Sequence, residues 1–335
     1  MGYTLTEESF ASLESYRTGG NSPLRWQPLF ILPPWLGVWW EVFGGKEKRL
    51  YLRGVWEEKE LLGVAPLYIE DDRATFIGSP DVCDYLDFIV SPGRQGEFFA
   101  ALLDDLTGQG IRRLDLQSVR PDSFVMTSLL PLARERGCKI IHNLEDVSLE
   151  MELPAGWEDY LARLSRKQRH ELRRKLRRLE EEGEVNFRLV EGREPVEATM
   201  DVFLRLLALN PEKSHFLTAH REEFFRSLAG AMAEAGLLRL GVLELDKVPE
   251  AVVMAFDYQG CVYLYNNGYH PEHPSTSLGT VSKALLIRDA IQRGRKRFDF
   301  LKGGEVYKYQ MGGREVPLYH CEVHLPSPKG RVPRG

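Results

Sequence analysis

Residues 297–309 read RFDFLKGGEVYKY, and this stretch decides the fold. Phe298 and Phe300 flank Asp299 in a short apolar strand, Gly303 and Gly304 break it, and Glu305–Gln310 has the makings of a short helix. Just upstream, KALLIRDAIQRG (residues 283–294) is an apolar-periodic helix stopped by Gly294, preceded by the loop HPSTSLG (residues 273–279). Cys261–Tyr269 before that loop is rich in β-formers, so the order is strand, loop, helix, strand, short helix. Asp299, Lys302, Glu305, Tyr307 and Lys308 then gather at the carboxyl end of a strand, where open α/β sheets place ligand groups.

Working outward, Leu237–Leu245, Glu250–Tyr258 and Cys261–Tyr269 form a meander, and Val316–His324 is a last strand. The first half carries the same order. Leu50–Trp56, Leu61–Ile69 and Ala74–Ile77 form a meander, Asp84–Val90 reads as a strand, Glu97–Leu106 as a helix, and Arg113–Gln117 as a strand. A helix at Ser123–Arg136 leads into strands at Lys139–His142 and Val147–Leu153. Between the halves runs a helix from Trp157 to Glu182, and Pro195–Leu209 and Arg221–Ala235 are further helices. The expected organisation is a first domain over residues 1–153, a basic joining helix over 154–183, and a second domain over 184–335.

A length of 335 residues favours two domains over one core. With 43% hydrophobic and 28% charged residues the whole chain is expected to fold, and a net charge of −5 gives no bulk attraction to nucleic acid or anionic membrane. The first sixteen residues hold no Lys or Arg, and Leu29–Trp40 is broken by Pro33 and Pro34. No export signal or transmembrane helix is therefore expected, and the expected location is cytoplasmic. Cys83, Cys138, Cys261 and Cys321 form no C-x-x-C pair and the eight histidines no metal spacing, so no metal is expected.

RFDFLKGGEVYKY with its helix and loop closely resembles the cellulose-biosynthesis type (CelD-like) of GNAT-superfamily acetyltransferase. SRKQRHELRRKLRRLEEEG (165–183), PPWLGVWWEVFG (33–44) and DYLDFIV (84–90) resemble that family too. The family is similar in plan to the FemABX peptidyltransferases, which join two GNAT-like domains and take amino acids from charged tRNA. The resemblance implies an α/β (α+β) fold of tandem GNAT-like domains, each a mixed central sheet flanked by helices. It also implies that an acyl carrier's pyrophosphate sits where a loop turns into a helix, against free backbone N–H groups.

In this chain that place is Ser277, Leu278, Gly279 and Thr280, with Ser277 able to cap the helix and Gly279 to allow close approach. Thr276 precedes them, and no acid intrudes. Glu305 is the candidate base and Tyr307 the candidate acid, as a tyrosine is in many GNAT enzymes. Asp299 joins them as a catalytic candidate, and Lys302 or Lys308 could hold a phosphate or polarise the carbonyl. A plainer reading pairs Asp299 with Lys308 and puts Phe298 and Phe300 in the core.

Between Arg163 and Arg178 nine of sixteen residues are Lys or Arg, while Leu161, Leu164, Leu172, Leu176 and Leu179 recur at helical spacing. Arg173, Arg174 and Arg177 on this face could hold tRNA, an anionic precursor or the phosphates of CoA, or could pair with neighbouring acids. Asp84, Tyr85 and Asp87 on the expected strand put both acids on one face, where they could orient an acceptor. Tyr265, Asn266, Asn267 and Tyr269 are further substrate-binding candidates. The expected activity is N-acyl transfer from acetyl-CoA or another acyl-CoA to a small-molecule or glycan-precursor amine on a cell-envelope or polysaccharide precursor. The alternatives are aminoacyl-tRNA-dependent transfer, with tRNA on the basic helix, and a degenerate GNAT pair that binds without catalysis.

Overall fold

A computed structural model describes residues 2–20, 23–190, 193–210, 215–271 and 277–326. The chain divides into two compact units, one made of residues up to Asp146 with those from Pro317 onward, the other of Val147–Val316. This division differs from the boundaries at 153 and 183 expected from the sequence. Local patterning cannot show that the last strand returns to the first unit.

The first unit opens with β1 (Tyr3–Glu7), α1 (Phe10–Thr18) and α2 (Pro33–Phe43), the first two of which the sequence reading did not include. The expected meander follows as β2 (Arg49–Glu57), β3 (Glu60–Glu70) and β4 (Arg73–Phe76). After the two-residue β5 (Ile89–Val90) come α3 (Gln95–Gly108), β6 (Arg113–Val119), a π-turn at Val125–Leu129 and α4 (Leu130–Glu135). The boundary between the units falls inside β7 (Lys139–Glu152), a single strand where the sequence suggested two. Strand order in this unit is β1-β2-β3-β4-β6, completed by β13 (Arg314–His324), which pairs antiparallel with β6. Phe76, Phe88, Phe98 and Phe99 form a chain of ring contacts at 5.0–5.9 Å in its core.

Asp84–Val90 is a strand only at Ile89–Val90. Tyr85 and Asp87 are both buried, so the period-2 alternation that would set Tyr85 apart from the acids does not hold. Tyr85 packs edge-on against Phe30 at 5.6 Å beneath the Arg120 guanidinium, which makes it a core residue rather than a substrate contact. Asp87 accepts from Phe124 N at 2.8 Å and Val125 N at 3.2 Å, capping the π-turn. It is thereby a structural acceptor, while Asp84 remains half-buried.

The second unit runs α5 (Trp157–Arg163), α6 (Arg166–Glu182), β8 (Val185–Val190), α7 (Arg193–Ala208), α8 (Ala219–Glu234), β9 (Leu238–Leu245), β10 (Val248–Tyr258) and β11 (Cys261–Tyr269). It closes with α9 (Leu278–Gln292), β12 (Arg297–Lys302) and α10 (Val306–Gln310). The expected long helix is thus broken, because Leu164 is extended (ψ 150°) and Ser165 starts α6 with a capping box to Gln168. The sheet order is β8-β9-β10-β11-β12-β7, with only the β11–β12 pair parallel. Helix α7 packs on β10 and β11, while α9 meets β9, β10, α5 and α6.

The two units repeat one device. In each, a parallel pair is in register over three positions only, Arg73–Thr75 with Arg113–Asp115 in one and Cys261–Tyr263 with Arg297–Asp299 in the other. The backbone around it matches bond for bond. Arg112 N and Arg113 N donate to Asp72 O at 2.8 and 3.2 Å, as Lys296 N and Arg297 N donate to Gly260 O at 2.8 and 3.2 Å. The expected duplication therefore has a residue signature, RRLD at 112–115 against KRFD at 296–299.

Two outcomes follow from this packing. A Cβ at Gly268 would lie 2.7 Å from Leu207 N and 2.9 Å from Phe203 O, both α7 backbone. Gly268→Ala is expected to lower stability in urea melts by about 1–3 kcal/mol. Burial pushes the Asp87 carboxyl up to about 7, against the pull of its amide donors. A folded pKa above the unfolded value means that the group's stabilising contribution is complete below pH 4 and is lost as pH rises through 7. Wild type is therefore expected to lose a few kcal/mol relative to Asp87→Asn between pH 4.5 and 8; a constant difference contradicts this.

Candidate active site

Helix α6 buries Leu172 and Leu179 and half-buries Leu176, so one stripe faces the core and the rest is cationic. Its first two turns wall a cavity of about 240 Å³ within the second unit, through Ser165, Lys167, Gln168, Glu171, Leu172 and Lys175. Thr280 from the first turn of α9 and Tyr307, Gln310 and Met311 at α10 complete it. Tyr160 OH donates to Met311 O at 3.0 Å, which ties the end of α10 to α5. Lys175 lies 4.0 Å from Glu171, and Lys167 makes no ion pair among the described residues. Leu172, Met311 and the Tyr307 ring give the wall its apolar part, while Lys167, Lys175 and the Glu171 carboxylate leave it one net positive charge, which suits a short chain bearing an anionic group.

Tyr307 enters this wall from α10, half-buried, with its hydroxyl pKa raised far above the ordinary value by burial and then by the Glu305 charge. The phenol therefore stays protonated around neutral pH. Lys283 Nζ sits 4.4 Å from the Tyr307 ring centroid. That ammonium, 9% exposed, donates to Asn267 Oδ1 at 2.9 Å and Gly279 O at 2.8 Å, and Asn267 Nδ2 donates to Ser282 Oγ at 3.2 Å. Sequence reasoning missed Lys283. The one signal was a cation inside the run Val281–Ile287, every other residue of which is buried as well.

At the end of β12, Asp299 is buried and accepts from Leu301 N at 2.8 Å. The charge-paired alternative for Asp299 and Lys308 does not form as expected; Lys308 pairs with Glu305 at 2.9 Å. Lys308 is buried, with Nζ donating to the carbonyls of Leu301, Lys302 and Gly303. Its donors are all engaged, so the expectation that it holds a phosphate or polarises a carbonyl is corrected. Lys302 is half-buried at the strand end, and Glu305 is exposed at the N-cap of α10.

Ser277 occupies the N-cap position of α9, but with φ 52° and ψ 48° it is left-handed and its side chain caps nothing. Side-chain capping requires an extended backbone, which explains the difference from expectation. Leu278 and Gly279 are buried, and a Cβ on Gly279 would lie 2.7 Å from the Tyr269 ring. The close approach that Gly279 permits is thus by Tyr269. Thr276 lies outside the described residues. No acid stands in the first turn of α9. The corresponding α3 differs: Arg94 at its N-cap is ion-paired with Glu57, Glu60 and Glu97.

The three arginines singled out on α6 are paired, Arg173 with Glu158 at 2.6 Å, Arg174 with Glu171 at 2.5 Å, and Arg177 with Glu181 at 3.5 Å. Arg166, Arg169 and Arg178 on the same helix have no ion pair among the described residues. Tyr265 packs against Phe225 and Phe256 at 5.8 and 5.4 Å, and Asn266 Oδ1 accepts from Asn267 N at 2.8 Å. The structure thus brings Tyr307, Thr280 and the basic helix together at one cavity, and assigns Tyr265, Lys308, Tyr85 and Asp87 to packing or hydrogen bonding.

Among the described residues no cluster of His, Cys, Asp and Glu is arranged to hold a metal, and no helix is long and apolar enough to cross a membrane. The family described as "Acetyltransferase (GNAT) domain" matches residues 166–309. No curated protein matches the chain in sequence. Among solved structures, FemX is 12% identical, covers 97% of this chain and 98% of its own, and superposes with a TM-score of 0.68. L-PGS from Bacillus licheniformis is 12% identical over 87% of this chain and 90% of its own, TM-score 0.54. A tandem GNAT protein from the clavulanic acid biosynthesis pathway is 12% identical over 98% and 100%, TM-score 0.52. At these identities the structural likeness speaks for the fold alone. Residues 166–309 thus match a GNAT acetyltransferase domain, and the mixed α/β fold is similar to those of FemX and a tandem GNAT protein.

Proposed function

We propose that the chain is an N-acyltransferase that moves an acyl group from acetyl-CoA or another acyl-CoA to an amine, with a cell-envelope or polysaccharide precursor as the acceptor. The observation that supports this reading is one cavity walled by the half-buried Tyr307, the acid-free first turn of α9 at Thr280, and Lys167, Glu171 and Lys175 of α6. A volume of about 240 Å³ suits the acyl and thioester end of the donor, with its phosphates at the cationic rim. The acceptor nitrogen attacks the thioester carbon, forming a C–N bond, and its proton passes to Glu305. The C–S bond then breaks, and Tyr307 O–H supplies the proton that the leaving thiolate takes. Lys302 at the end of β12 polarises the carbonyl oxygen.

A second reading, aminoacyl transfer from charged tRNA, is favoured by the Arg166, Arg169 and Arg178 side chains, which form no ion pair among the described residues. In that reading the leaving group is a ribose hydroxyl, and the chemistry of Glu305 and Tyr307 is otherwise the same. The acceptor and the envelope assignment rest on the resemblance to cellulose-biosynthesis acetyltransferases.

Tyr307→Phe and Glu305→Gln are each expected to lower turnover at least tenfold; wild-type rates in both remove these residues from the chemistry. Isothermal titration with acetyl-CoA, longer acyl-CoAs and free CoA is expected to show micromolar binding that Thr280→Glu abolishes. Thr280 is the better probe because an added side chain at Gly279 collides with Tyr269. Reversing Arg166, Arg169 and Arg178 to Glu is expected to leave CoA affinity within threefold. If aminoacyl-tRNA is the donor, the same variant loses at least tenfold in tRNA affinity, and unaltered tRNA binding ends that reading.

A further inference from the structure

Three consecutive carbonyl groups, Leu301, Lys302 and Gly303, converge on one point, at 3.0, 2.5 and 3.0 Å from Lys308 Nζ. Glu305 Oε2 lies 2.9 Å from the same nitrogen. Successive carbonyls alternate in direction along a strand and run parallel to the axis of a helix, and here they converge because the backbone turns left-handed at Leu301 (φ 63°) and at Gly303 (φ 103°). Three converging carbonyl dipoles repel one another, and a positive charge at their focus offsets that repulsion. Lys308, 2% exposed, provides it. Two amides of the turn point away from the focus: Leu301 N donates to Asp299 Oδ1 at 2.8 Å and Gly303 N to Val147 O at 2.8 Å. The carbonyls of the turn are thus satisfied by one buried charged residue, and its amides by another together with the β7 backbone.

The turn leads directly into α10, whose N-cap is Glu305 and whose second residue is Tyr307. We propose that Lys308 is a positioning residue: its ammonium is a tethered cation filling an oxygen cage that fixes the 301–303 turn, holds Glu305 at the start of α10 and so sets Tyr307 at the cavity. The cage is in consequence a binding site for a small primary alkylammonium ion once the side chain is cut back. The catalytic half of this statement rests on the acyltransferase reading; the cage itself does not.

The test uses Lys308→Ala, which deletes a propylammonium-sized group, and Lys308→Met, which keeps the volume and removes the charge. Propylammonium is expected to raise the thermal midpoint of Lys308→Ala saturably, with no such effect on wild type or Lys308→Met, and 1-propanol is expected to do nothing. Both variants are expected to transfer at least tenfold more slowly with donor affinity within threefold of wild type. Propylammonium is expected to restore at least fivefold of the loss in Lys308→Ala alone. In Lys308→Met the Leu301 amide is expected to exchange with solvent at least tenfold faster. Absence of both stabilisation and faster exchange overturns the cage. Stabilisation with wild-type transfer rates in the variants overturns the positioning role. If wild type itself transfers from no donor, the acyltransferase reading fails, while the thermal and exchange measurements still decide the cage.

Discussion

Two parallel strands that pair for three residues and then stop pairing are the constraint on which the second unit is built. Beyond Tyr263 and Asp299, β11 and β12 no longer share hydrogen bonds, so backbone that a continuous sheet would satisfy has to find other partners. On the β11 side, Asn267 reaches across to Ser282 and Lys283 in α9, and Lys283 in turn holds Gly279 O. On the β12 side, Asp299 and Lys308 close the strand end over Leu301–Gly303. Each of these polar groups is buried and bonded, so each fixes geometry that a loosely packed apolar filling would leave free. The cavity at Thr280 and Tyr307 lies where these two sets of contacts deliver α9 and α10 against α6.

The first unit has the same backbone device with different chemistry around it. Asp115 occupies the place of Asp299, but its carboxylate meets His320 at 2.6 Å and Arg73 at 3.2 Å rather than a strand-end amide. The helix that follows the diverging strands begins at Arg94, whose charge is matched by Glu57, Glu60 and Glu97. An anion at that helix start would meet three carboxylates, whereas the first turn of α9 carries none. This difference in charge within a duplicated architecture is the ground on which the donor site is proposed for the second unit.

Elements that follow from local patterning were legible in the sequence. The β2–β3 and β9–β10–β11 meanders, the helix after Ser277 and the strand–turn–helix of RFDFLKGGEVYKY all fall close to where periodicity and glycines put them. What was not legible depends on contacts distant in sequence. The return of the last strand to β6 has no local signal, because Val316–His324 reads as a strand whichever sheet takes it. The D-Y-x-D run reads as alternation, but Asp87 is drawn inward by the amides of Phe124 and Val125, 37 and 38 residues away. Among the site residues, Tyr307 was legible at a strand end, Thr280 at a helix start and the basic helix as a cationic face, but not that the three meet at one cavity. Lys308 and Lys283 were not assigned their roles, since periodicity treats a lysine as a surface residue and cannot foresee one buried among carbonyl oxygens.

The central claim is that a carrier-bound acyl donor enters the cavity between α6, α9 and α10. Hydrogen–deuterium exchange of the full chain with and without saturating acetyl-CoA, and in parallel with an aminoacyl-tRNA analogue, tests it most directly. The account predicts protection by one of these donors in all three segments, 165–175, 278–285 and 306–311. Protection confined to other parts of the chain, or none with either donor, contradicts it.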